Sequence, residues 1–84
     1  MDLETFQNLD TLNKFPRVRI VGELDADFGF ENDLLILVGG ALTTPERFAR
    51  FHESLAHVMD NGEIKRFGRV IGSVSQLEIV QEQP

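Results

Sequence analysis

Cysteine, tryptophan and tyrosine are all absent from this 84-residue chain. Without cysteine there is no disulfide, no thiol nucleophile and no thiolate metal site, so packing or assembly must supply the stability. That composition agrees with a reducing compartment, and a cytoplasmic location is expected. Aromatic character rests on seven phenylalanines, whose rings pack and stack but donate no hydrogen bond. Cations are scarce as well. Eight Lys and Arg stand against fourteen Asp and Glu, a formal net charge of -6. An acidic protein repels a phosphate backbone, whose nonspecific affinity comes mainly from cations displacing counterions. The longest apolar run, residues 34–42, is far shorter than the ~20 residues that cross a bilayer. Met1-Asp2-Leu3-Glu4 carries acids where a secretory signal would carry Lys or Arg. Neither a membrane partner nor a targeting signal is expected.

What is present is an ordinary globular balance, 42% hydrophobic and 26% charged, in a chain long enough for a single domain spanning 1–84. Leu3, Phe6, Leu9 and Leu12 recur at helical spacing and predict a helix over residues 2–15, stopped by Pro16. From residue 16 to 30 the period drops to two: Val18, Ile20, Gly22, Leu24, Ala26, Phe28 and Phe30 alternate with mostly charged residues, which predicts a long half-buried strand. Glu31-Asn32-Asp33 is turn chemistry, and the apolar residues 34–38 form the next strand, ended by Gly39-Gly40. Thr43-Thr44-Pro45-Glu46 is a helix start and Asn61-Gly62 a helix stop. Residues 63–71 and 74–80 read as third and fourth strands joined by a turn at Gly72-Ser73, with Arg66 the misfit on an apolar face. The order is α-β-β-α-β-β. It predicts an α+β fold, a four-stranded mainly antiparallel sheet with two helices, equivalent to a circularly permuted ferredoxin-like plait.

Catalytic machinery is hard to find in this sequence. His52 and His57 are five apart, so on a helix they diverge and share no metal. Glu53, His57 and Asp60 would share one helical stripe, a pattern better explained by a solvated face than by a metal site. Glu23, Asp25, Asp27, Glu31 and Asp33 alternate like calcium ligands, but Phe30 and Ile36 occupy the places of the loop glycine and the bidentate glutamate. Gly39-Gly40 lacks the lysine of a phosphate loop, and Ser54, Ser73 and Ser75 have no His and acid at a useful spacing. No cofactor and no metal are expected.

Lys65-Arg66-Phe67-Gly68-Arg69-Val70 resembles the third strand of an RNA-recognition motif at Lys65, Phe67, Gly68 and Val70. Arg66 and Arg69 stand there in place of a glycine and the second aromatic. The resemblance implies a nucleic-acid interface on Lys65, Arg66, Phe67 and Arg69, flanked by Arg17 and Arg19. A different inference comes from surplus apolar surface. Two helices on one side of a four-stranded sheet leave Phe67, Ile71, Val74 and Val80 on the other, and an uncovered patch of that kind marks an interface. The leading expectation is therefore a small non-enzymatic protein-interaction module, regulatory, accessory or inhibitory, working as a homodimer. Its partner-binding residues would be Phe67, Arg69, Ile71, Val74, Arg17 and Arg19. The alternatives are a nucleic-acid-binding domain and a cofactor-free dimeric ferredoxin-like enzyme using His52.

Overall fold

The computed structural model describes residues 1–9 and 11–80. Its elements are α1 (Leu3–Gln7), β1 (Arg17–Ile20), β2 (Leu35–Val38), β3 (Ala41–Thr43), α2 (Pro45–Phe51), β4 (Ala56–Val58), β5 (Glu63–Arg66), β6 (Arg69–Ser73), a 3-10 turn (Val74–Gln76) and β7 (Leu77–Ile79). The seven strands form one sheet in the order β6-β5-β4-β3-β2-β1-β7, and every pairing is antiparallel. This corrects the expected four-stranded ferredoxin-like plait: the sheet is a curled half-barrel, and its two helices are short.

Each departure has a physical cause. The first helix ends at Gln7, with Asn8 as its cap, because Thr5, Asn8, Thr11 and Asn13 are weak helix formers; position 10 of the expected span lies outside the described residues. Asp2 begins α1, accepting the Thr5 backbone N–H at 2.7 Å. Hydrogen bonds from the side chain and then the backbone of Thr5 hold its carboxyl below the ordinary carboxylate range. A depressed folded pKa gives a contribution present above the unfolded pKa and lost as pH falls through the folded one. An NMR titration should therefore find Asp2 titrating below a free aspartate, and Thr5→Ala should move it back toward the ordinary value.

The expected strand over 16–30 stops at Ile20, because Gly22 and Gly29 take left-handed φ angles of 86° and 80°. Residues 21–34 leave the sheet as an irregular excursion. Gly39 and Gly40, at φ 57° and 87°, do not lead into a helix. They form a two-residue turn that folds the apolar run back on itself as β2 and β3, pairing Leu37 with Leu42. The helix after Pro45 is capped as expected, Thr44 accepting from Arg47 N at 3.1 Å, yet it ends at His52 (φ 51°). Beyond it, Leu55 N donates to Leu42 O at 2.8 Å, and Ala56 and His57 pair with Leu42 and Ala41. Pairing with the open edge of β3 gives these backbone groups the partners that further helical turns would have supplied. The turn between the last predicted strands lies at Phe67-Gly68, not at Gly72-Ser73.

The curl decides where the core sits. Opposed residues of antiparallel strands share a face, so Val18, Ile20, Leu35, Leu37, Leu42, Ile64 and Leu77 line the inside, joined by Ile71, Val74, Phe28 and Leu55. A register shift beside Ile64 bends β5 and β6. The gap is bridged by the excursion after β1: Val21 N donates to Gln76 O at 2.8 Å and Asp25 N to Ile71 O at 2.9 Å. On the outer side, Thr43 is buried and its hydroxyl donates to Glu53 O at 2.6 Å. Of the spare apolar layer expected on a flat sheet, Ile71 and Val74 are absorbed into this interior, 2% and 4% exposed, whereas Phe67 stays outside it.

Candidate functional site

Arg66 lies one residue beyond the outward-facing Lys65, so its side chain turns inward at the rim of the curl. Its Nη1 donates to Phe28 O at 2.9 Å. Its guanidinium carbon lies 5.1 Å from the Phe28 ring centre, 5.9 Å from Phe30 and 5.0 Å from Phe67. Phe28 and Phe30 meet edge to face at 5.3 Å, and Arg47 of α2 sits 5.3 Å over Phe30. A strip of alternating cations and aromatic rings thus crosses the rim, each contact worth roughly 0.5–1 kcal/mol where exposed. The misfit Arg66 of the sequence is its centre.

Two clefts flank the strip. One, of about 410 Å³, is lined by Ala26, Asp27, Phe28, Arg66, Phe67, Arg69 and Ile71. The other, of about 350 Å³, lies between Phe30, Asp33, Thr44, Glu46, Arg47 and Phe51. Large apolar side chains stand free at both: Phe67 is 95% and Phe51 65% exposed.

The turn beneath Phe67 singles out the first cleft. Phe67 and Gly68 have φ of 53° and 76°, the conformation of a primed hairpin turn, which favours Asn-Gly or Gly-Gly. Left-handed backbone costs an ordinary L-residue about 1–2 kcal/mol, and a ring this exposed recovers almost none of that by burial. A bulky side chain kept under strain on a hairpin tip is the kind of outlier from which function is inferred.

The expected residues are thus divided. Phe67 and Arg69 are exposed and adjoin Arg66 at the first cleft, while Ile71 lines its floor and Val74 is consumed by the core. Lys65 pairs with His57 on the outward face. Arg17 and Arg19 face outward from β1, where Arg19 Nε donates to Asn32 O at 3.2 Å; β4, β3 and β2 separate them from β5 along the sheet. His57 stands on a strand and Glu53 takes Arg47 at 3.0 Å, so no helical Glu-His-Asp stripe exists. His52 caps α2 with its ring 5.4 Å from Phe48. Ser73 and Ser75 bond to each other. Glu31 accepts from Phe28 N at 3.0 Å, and among the described residues no group of three or more His, Asp or Glu is placed to hold a metal. The segment resembling an RNA-recognition strand is a hairpin turn, so its Phe67 does not lie on a sheet face.

Phe28, Phe30, Arg47 and Phe51 escaped the sequence reading as a site, because they belong to two segments, the excursion after β1 and α2, both distant in sequence from the hairpin tip. The legible signal was Phe67-Gly68 between two arginines, the bulkiest residue in the chain's composition where a turn wants the smallest. No protein-family model, curated protein or solved structure matches this chain, so the geometry of the rim carries the functional argument.

Proposed function

We propose that this protein is a non-enzymatic binding module that docks another protein on the β5–β6 hairpin tip, with Phe67 as the anchor. The single supporting observation is that ring, 95% exposed on a strained left-handed residue. Interfaces concentrate their affinity in a few aromatic and arginine side chains that enter desolvated pockets, and here Phe67 stands between Arg66 and Arg69. The homodimer expected from a spare sheet face loses Ile71 and Val74 from that face, because both lie within the chain's own core.

The test separates binding from folding. Phe67→Asn supplies the residue that the turn prefers, which should gain about 1 kcal/mol by relieving backbone strain and give back roughly 0.5–1 kcal/mol through the lost contact with Arg66. The variant should therefore be at least as stable as the parent, within about 0.5 kcal/mol, by urea unfolding. In affinity capture from the native cell followed by quantitative mass spectrometry, a protein retained by the parent should be lost at least tenfold by the variant, the factor that about 1.4 kcal/mol of binding energy gives. An unchanged set of captured proteins would reject the reading, and a variant destabilised by more than about 1 kcal/mol would make Phe67 a structural residue.

A further inference from the structure

We infer that the cleft beside the hairpin tip takes a single carboxylate, presented by an Asp or Glu beside an apolar residue of the partner protein; this rests on the tip being the docking surface. Arg66 and Arg69 are directly opposed across the two-residue turn, and both line the cleft. Like charges at opposed positions destabilise a strand pair. Among the described residues neither arginine has an ion-pair partner, so no salt bridge among them neutralises the pair. Arg66 is further prepared for an anion: Nη1 is bonded to Phe28 O, the guanidinium is stacked on rings, and Nε is buried without an acceptor. A buried donor without an acceptor invites an explanation. A carboxylate between the two guanidinium groups would remove the repulsion and add charge-assisted hydrogen bonds.

Charge decides between a carboxylate and a nucleic acid. The chain carries -6 overall. Asp27 lines the same cleft, and the hydrogen bond from Asp25 N to Ile71 O draws the acidic stretch with Glu23, Asp25 and Asp27 along the neighbouring strand. A run of phosphates leaving the cleft would pass these acids at close range. A single carboxylate beside an apolar residue engages Arg66, Arg69 and Phe67 and extends no further.

The experiment uses the full chain, immobilised, and a soluble library of octapeptides with a fixed central leucine and randomised flanks; the retained pool is sequenced. Asp and Glu should be enriched beside the leucine. The best acidic peptide should bind Arg69→Gln about tenfold more weakly, the loss expected for one charge-assisted hydrogen bond, and its affinity should fall with added salt. Arg69 is exposed, so its replacement leaves the core intact, and Arg17→Gln serves as the control that changes net charge elsewhere. Retention of apolar or basic peptides without acids would overturn the carboxylate while leaving Phe67 as anchor. No retained pool, with captured proteins unaffected by Phe67→Asn, would overturn both. Binding of a dT12 oligonucleotide that depends on Phe67 would overturn the protein partner in favour of single-stranded nucleic acid.

Discussion

Leu37→Ala is expected to lower the unfolding free energy by about 3 kcal/mol, within the range of about 2–5 kcal/mol for buried leucines. Leu37 is fully buried and paired with Leu42. Its N–H donates to Pro16 O at 2.9 Å, which anchors the strand backbone and limits collapse around the lost side chain. A chain of this length is stable by only about 4–12 kcal/mol in all, so the variant should melt about 12–24 °C lower. Urea unfolding should show a lower midpoint with the slope unchanged. Leu12→Ala, at an exposed position, should stay within about 0.5 kcal/mol of the parent. If the Leu37 variant lost less than about 1 kcal/mol, the inside of the curl would not be the packed core.

Gly72→Val should cost about 2–3 kcal/mol by overpacking, and it should damage the rim as well as the fold. A Cβ at this position would lie 2.6 Å from Gln76 Oε1 and 2.8 Å from Leu24 Cδ2. The Gln76 amide ties three segments together: Oε1 accepts from Ser73 N at 3.0 Å, and Nε2 donates to Val21 O at 3.2 Å and Glu23 O at 2.7 Å. To make room, the amide must leave these partners, and the excursion after β1 loses its attachment beside β6. That excursion carries Asp27, Phe28 and Phe30, so the cleft should loosen too. Two observations check this: amide exchange at Phe28 should accelerate in the variant, and Gly72→Ala combined with Gln76→Ala should cost less than the two separate losses added together, because both act on one set of bonds. Strict additivity would show that Gln76 does not close the half-barrel.

The same physical limit explains which elements were legible. The cap at Thr44, the helix start at Pro45 and the strand over 35–38 depend on residues within one turn or one pleat, and the structure has them where the pattern places them. Leu55, Val58 and Met59 satisfy a helical stripe as well as they satisfy a strand with its flanking turns. Only the open edge of β3 selected the strand. The turn at Phe67-Gly68 was obscured because phenylalanine is a strand former by propensity, whereas Gly72-Ser73 is an ordinary turn pair. Arg66 looked like an error on an apolar face because its partners, Phe28 and Phe30, lie almost forty positions upstream.

Composition and local pattern alone determined that this cysteine-free, acidic chain must be held by an apolar interior built from strands and capped helices. The number of strands, the curl and the rim of arginines and phenylalanines were decided by the tertiary structure. Each depends on which distant backbone edges and side chains meet, and that choice is made by burying apolar surface and pairing N–H with C=O across the whole chain.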